Sequence, residues 1–266
     1  ITTLGRGGSD TSAVALAAAL KADDCEIYTD VDGVYTTDPR LCSKARKIER
    51  ISYEEMMELA SLGAKVLQIR SVELAAKFRV PLNVRSSFDR SPGTRVVPKE
   101  TLGMSMEQVD VAGVAADLSQ VKFHLRGLPN RPGVAATVFG ALSRESIVVD
   151  VIVQDMPQSG VAALSFTVGE AEALRTEKAL GELKSSSFRE MEISKDAGLA
   201  KVSIVGVGMQ HHPGVAAKMF HLLGERDIDI RLISTSEIKV SCLISAPQAK
   251  LAVETLHKGF GLDRLD

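Results

Sequence analysis

The chain has 266 residues, more than one average domain, with 45% hydrophobic and 25% charged residues. This composition fits an ordinary soluble globular chain and excludes disorder, collagen-like repetition, a disulfide-dense miniprotein and, with no apolar run of about 18–20 residues, a membrane helix. Lys plus Arg total 32 against 34 Asp plus Glu, a net charge of −2, and aromatics are 4% with no Trp, so neither a nucleic-acid footprint, an anionic-membrane patch nor a base-stacking platform is expected.

Three cysteines, Cys25, Cys42 and Cys242, are few, scattered and odd in number, which suits free thiols in a reducing cytoplasm. His211-His212-Pro213 is the one close histidine cluster; no second ligand pair lies at metal-site spacing, so no metal cage is expected, and the cluster reads as a solvent-facing loop. The chain opens Ile1-Thr2-Thr3-Leu4-Gly5 without an initiator Met or a targeting pattern, and the expectation is that it starts in mid-domain.

In chain order, Gly5-Arg6-Gly7-Gly8-Ser9-Asp10 is a glycine-rich turn leading into an Ala-rich helix from Thr11 to Lys21, with Ser9 or Asp10 expected as its cap. Glu26 to Thr29 reads as a strand, and Asp30 to Arg40 as a loop rich in turn formers that carries Tyr35 and Arg40 towards a ligand. Ser52 to Leu62 has a capping Ser, an acidic first turn and Gly63 as a stop; Val66 to Phe78 is a second amphipathic helix, and Leu82 to Arg85 a strand. Alternating strand and helix make this part α/β. Ser91-Pro92-Gly93 and Pro98 mark an expected linker.

Beyond it the chain repeats. Pro132-Gly133-Val134-Ala135-Ala136 recurs 81 residues later as Pro213-Gly214-Val215-Ala216-Ala217, and the same offset relates Phe139 to Phe220 and Ile147 to Ile228. Each Pro-Gly follows an apolar strand and opens a helix, giving two βαββαβ units with helices on one face of a small antiparallel sheet. Too few residues follow the last helix for a closing strand. Val109 to Ala115 is expected to supply it, with the first unit inserted in the second.

A glycine-rich turn at a helix start suits an anion, because free amides and the positive dipole end point at it, and Arg6 can add a forked contact. The turn is neither a Walker loop nor a dinucleotide fingerprint. Together with Tyr28-Thr29-Asp30-Val31-Asp32-Gly33-Val34-Tyr35-Thr36-Thr37-Asp38-Pro39-Arg40, and with Ala60-Ser61-Leu62-Gly63-Ala64-Lys65-Val66-Leu67, it closely resembles the aspartate kinase branch of the amino-acid kinase family. The repeats resemble the paired ACT effector-binding domains of the same family, and Ser234-Thr235-Ser236-Glu237-Ile238 is a further family-like string.

The resemblance implies an α/β protein: a partial three-layer α/β/α amino-acid-kinase domain followed by two ferredoxin-like ACT domains. It places the C-terminal part of the kinase domain at 1–90, a linker at 91–108, the first ACT domain at 120–195 and the second at 109–119 plus 196–266. It implies transfer of the ATP γ-phosphoryl group to the side-chain carboxylate of L-aspartate, with Mg²⁺, early in lysine, threonine and methionine biosynthesis. Arg6, Gly7, Gly8, Ser9 and Asp10 would form the catalytic turn; Thr29, Asp30, Tyr35, Arg40, Lys65 and Val66 would hold the nucleotide. Lysine or threonine would bind as effector at Asn130, Pro132, Gly133, Ala135, Val149, Asp150 and Gln154, and at Val215, Ala216, Asp229, Ile230, Ser236 and Glu237. A homodimer or hetero-oligomer through the ACT domains is implied, with no nucleic-acid or membrane partner.

The sequence departs from the family pattern in places. The Lys-Phe/Tyr-Gly-Gly-Thr/Ser motif with which such kinases begin is not found, so half a kinase site is expected. Asn130 stands where relatives commonly have Asp, and Asp229 where they have Asn, which leaves the inhibiting amino acid open. Met156 to Ser159 is atypical of the hairpin expected there. A non-catalytic regulatory subunit and a kinase of another amino acid or a nucleotide remain alternatives, the second opposed by the ACT repeat.

Overall fold

The computed structural model describes residues 5, 7–62, 66–102, 111–155, 161–212 and 214–264. The chain packs as two units: residues 1–117 with 202–244 and 248–266, and residues 118–201 with 245–247. The mixed α/β fragment followed by two βαββαβ modules agrees with the sequence reading. The second module shares its unit with the α/β fragment.

In the first unit, helix α1 (Gly8–Leu20) precedes strand β1 (Cys25–Thr29), then come β2 (Arg50–Ser52), α2 (Tyr53–Ser61), α3 (Ile69–Phe78), β3 (Leu82–Ser86) and β4 (Thr94–Val97). The strands lie in the order β1-β3-β4-β2. β1 runs parallel to β3 with Ile27 opposite Val84, β3 antiparallel to β4, and β4 parallel to β2. Val14, Ile27, Met56, Val72, Leu82 and Val96 fill the core beneath this sheet. α2 is fixed at its start by a reciprocal cap: Ser52 accepts from the Glu55 amide while the Glu55 carboxylate accepts from the Ser52 amide.

Three local expectations need correction. The stretch read as a linker, 91–108, supplies β4, because Thr94-Arg95-Val96-Val97 places β-branched side chains on a buried face after the Pro92-Gly93 turn. Neither Ser9 nor Asp10 caps α1; the helix starts at Gly8 behind Gly7 in the left-handed region, with no side-chain cap. Val66 lies in a turn ahead of α3 rather than inside it. The expected stop at Gly63 and the atypical run 156–159 lie outside the described residues.

The same unit contains the second module. Its strands are the first part of β5 (Gly113–Pro129), the last part of β8 (Glu192–Val205), β9 (Leu232–Ser236) and β10 (Lys239–Ser245); its helices are α6 (Val215–Gly224) and α7 (Ala249–Gly259). β9 and β10 form an antiparallel hairpin, with Ser236 opposite Lys239. Ala115 and Val205 join the α/β core.

The other unit takes the rest of β5, helix α4 (Val134–Arg144), β6 (Val149–Asp155), β7 (Val161–Gly169), α5 (Ala173–Ser186) and the start of β8. β7 lies between β6 and β5, antiparallel to both, with Phe123 opposite Phe166. Those two rings stack at 5.7 Å and Phe139 meets Phe166 edge-on, an aromatic centre surrounded by Leu125, Leu142, Leu164 and Leu180.

Candidate active site

The glycine turn is shaped by its own backbone. Gly5 and Gly7 both have positive φ, and the Gly8 amide donates to the Gly5 carbonyl at 3.1 Å. At Gly7 a side chain is excluded twice: φ is 73°, and a Cβ would stand 1.8 Å from Cγ of Gln68. The turn therefore meets the segment that follows Lys65 and Val66, bringing two of the sequence-derived clusters together. Ser9 Oγ donates to Asp10 Oδ1 at 3.2 Å, and the hydroxyls of Thr11 and Ser12 donate back to the carbonyls of Gly7 and Gly8. With no side chain on the first-turn amides, the α1 start remains open to an anion. Arg6 and Lys65 lie outside the described residues.

The loop after β1 is a second cluster. Thr29 Oγ1 donates to Asp30 Oδ1 at 3.0 Å at the end of the strand. The hydroxyl of half-buried Tyr35 donates to Asp32 Oδ1 at 3.0 Å, and Lys47 Nζ reaches Asp32 Oδ2 at 3.2 Å. Burial opposes ionisation of Asp32, but the Lys47 and Tyr35 hydrogen bonds outweigh it and hold the carboxyl below its usual range. Arg40 forks onto Asp38 through Nε and an Nη at 2.7 Å, which lowers the Asp38 pKa. The Arg40 side chain is 88% exposed, so its guanidinium remains accessible from solvent. Tyr35 and Arg40 are thus positioned by carboxylates of their own loop.

The sequence reading missed what holds this loop. Thr94 Oγ1 of β4 donates to the Ile48 carbonyl at 2.6 Å and accepts from the Val34 amide at 2.8 Å, clamping both ends of the loop. Asp32, Lys47 and Asp38 are further members; the two acids Asp32 and Asp38 followed by the bases Arg40, Lys44, Arg46 and Lys47 are the signal that could have found them. Among the described residues no three His, Cys, Asp or Glu side chains converge as a metal cage.

The effector positions fall at two corresponding turns. Gly133 and Gly214 both take left-handed φ (92° and 102°) and open α4 and α6 without a side-chain cap. In the unit 118–201, Asn130, Pro132 and Gln154 are exposed and Ala135 and Val149 half-buried. Ala135 and Gln154 line one cavity of about 10 Å³ with Leu128, Val134 and Leu164, room for no more than a water. Asp150, named for the effector site, forms an ion pair with the buried Lys201, which occupies its carboxylate.

At the corresponding turn of the other unit, Val215 is buried, Ala216 and Ile230 are half-buried, and Ser236 and Glu237 are exposed. Asp229 pairs with Arg231 at 3.2 Å. His212 does not face solvent freely: it is half-buried and its Nδ1 donates to the Gly208 carbonyl at 2.7 Å. Pro213 and the His211 side chain lie outside the description. All three cysteines are buried free thiols, and burial pushes Cys242 up to about 12.

Comparison with known proteins decides the family. The amino acid kinase family matches residues 1–86, and an ACT domain matches residues 202–260. The ligand-free regulatory subunit of aspartate kinase from Thermus thermophilus is 38% identical at a TM-score of 0.53, a match covering 98% of that subunit and 56% of this chain. The chain belongs to the aspartate kinase family. It is 51% identical to the aspartate kinase of Pseudomonas putida over 263 residues, 99% of this chain, and spans 63% of that relative's length. Escherichia coli aspartokinase III, solved in complex with aspartate and ADP, is 34% identical at a TM-score of 0.77, covering 97% of this chain and 57% of that one; a second structure of it holds lysine and aspartate.

Proposed function

We propose that this chain is the nucleotide-binding and regulatory portion of an aspartate kinase. An oxygen of the L-aspartate side-chain carboxylate attacks the γ-phosphorus of ATP, the bond from that phosphorus to the β,γ-bridging oxygen breaks, and ADP leaves beside 4-phospho-L-aspartate. The carboxylate is already a nucleophile, so no general base is needed. Catalysis rests on positioning and charge neutralisation. The observation that carries the reading is the contact of the left-handed Gly7 turn with Gln68 at the uncapped start of α1.

The first-turn amides of α1, with Gly7, Gly8, Ser9 and the Arg6 side chain, would receive the carboxylate and the moving phosphoryl group. Thr29, Asp30, Tyr35, Arg40, Lys65 and Val66 would take the nucleotide. Mg²⁺ would be carried on the nucleotide phosphates and would supply charge neutralisation there.

Lysine or threonine would act at the Gly133 and Gly214 turns, against a second copy or another subunit. The exposed Ile152 and Val153 of strand β6 are an apolar surface suited to such pairing. Buried free thiols suit a cytoplasmic protein. A purely regulatory subunit is the second reading. The match to the T. thermophilus subunit stops at 56% of this chain, whereas residues 1–86 match the kinase family, which favours the catalytic one.

In the full-length protein, ATP and L-aspartate together should yield ADP and a phosphorylated carboxylate that hydroxylamine traps as a hydroxamate, and lysine or threonine should slow that rate. Arg6→Ala should depress it at least tenfold. A full-length protein that releases no ADP in response to aspartate would overturn the catalytic reading.

A further inference from the structure

Thr36 lies within the loop between Tyr35 and Arg40 and is fixed by its every polar atom. Its amide donates to the Arg46 carbonyl at 2.8 Å, and its carbonyl accepts from the Val114 amide at 2.7 Å. Its Oγ1 accepts from the Arg46 amide at 2.9 Å and sits 2.8 Å from Nε2 of His257. His257, 1% exposed, belongs to α7 of the second module, and 221 residues separate the two partners along the chain. Because Thr36 Oγ1 already accepts one hydrogen, its own proton is free to go to Nε2 of a neutral imidazole. Burial favours that neutral form.

Beside this bond the packing is open. A cavity of about 340 Å³ separates the 42–44 stretch of the loop from α7, lined by Cys42, Lys44, Arg226, Glu254, His257 and Lys258. On its other side α7 is pressed against α6, where a Cβ on Gly259 would stand 2.4 Å from Leu222. α6 begins at Val215 directly after the Gly214 turn. A continuous set of contacts therefore runs from that turn through α6 and α7 to Thr36.

We propose that His257 is a positioning residue for the nucleotide: through Thr36 it sets the Tyr35–Arg40 loop and gives the second module a grip on ATP binding. The inference rests on the assignment of that loop to the nucleotide. A displacement of α6 at its N-terminal turn shifts α7, and the loop follows because its buried hydroxyl has no other acceptor. A histidine that merely filled the core would affect folding without selecting between the two substrates.

The test compares His257→Leu and His257→Gln in the full-length protein; Gln can still accept from Thr36. His257→Leu should raise KM for ATP and Kd for ADP about five- to tenfold, leave KM for aspartate within twofold, and weaken inhibition by lysine or threonine. His257→Gln should restore most of the loss. Thr36→Val removes the hydroxyl, and with it the bonds to both His257 and the Arg46 amide, and should reproduce the ATP effect, which keeps the test alive if His257→Leu does not fold. Equal ADP affinity in wild type and His257→Leu, a parallel rise of both KM values, or no rescue by Gln would overturn the proposal. A wild type that binds ADP without phosphorylating aspartate would remove the catalytic reading alone, since ADP affinity still reports on the loop.

Discussion

The two βαββαβ modules share a repeat and a left-handed glycine before the first helix, yet their interiors differ. The unit 118–201 has an aromatic centre in which Phe123, Phe166 and Phe139 pack face and edge. Both modules bury some polar groups: Thr167 and Thr176 in that unit and, in the second module, Ser203 and Ser241, which share a hydrogen bond at 2.7 Å, with His257 on α7. The second module also bonds outward to the α/β fragment. Glu55 accepts from the Val207 amide at 2.9 Å, and Lys239 reaches Glu58 at 2.7 Å. One copy of the fold is centred on packed aromatic rings. The other uses part of its polar capacity to hold the fragment that carries the nucleotide loop.

The largest effect should come from breaking the aromatic centre. Phe166→Ala removes a fully buried ring that touches two others, and such truncations cost about 3–5 kcal/mol. Chemical denaturation should show the unit 118–201 unfolding first while the α/β fragment persists. A single transition shifted as a whole would mean that the two units do not unfold separately.

A smaller effect should follow from Glu55→Gln. The 1%-exposed carboxylate receives hydrogens from the Ser52 amide, the Ser52 hydroxyl and the Val207 amide. An amide in its place turns an N–H towards at least one of these donors, at about 1–3 kcal/mol for a buried group left unmatched. Hydrogen exchange at the Val207 amide should accelerate; unchanged protection would show that the second module is held on the fragment without this bond.

What the sequence disclosed of this contrast depended on range. The Ser52 cap was readable because capping chemistry is local, and the recurrence of Pro-Gly-Val-Ala-Ala exposed the repeated modules. β4 was taken for a linker because Pro92-Gly93 masks a four-residue strand whose partners are distant. Ser9 and Asp10 were expected to cap α1, but the left-handed Gly7 takes the cap position, so neither side chain meets the first amides. For the site, the glycine turn and the Tyr35–Arg40 string could be named from their residue types. Their supports could not: Thr94 binds the loop across 60 residues and His257 across 221, separations with no periodic or compositional trace.

The smallest expected effect is a pH response that each unit carries on a different histidine. His124 accepts from Arg126 Nε at Nε2 (2.9 Å) and meets Ser165 Oγ at Nδ1 (2.8 Å), an arrangement that requires an unprotonated Nε2. Burial, reinforced by Arg126 and Lys122, lowers its pKa. Burial likewise lowers that of His257, with Arg46 and Lys44 acting in the same direction against Asp263. In both cases the unfolded chain binds a proton more readily than the folded one. The stabilisation is complete above the unfolded value of about 6.5 and is lost as pH falls below it towards the folded value. Tm measured between pH 7.5 and 5 should therefore drop on the acid side for both units. His124→Gln should flatten that drop only in the transition belonging to 118–201. An identical pH slope in the variant would show that Arg126 and Ser165 do not hold His124 neutral.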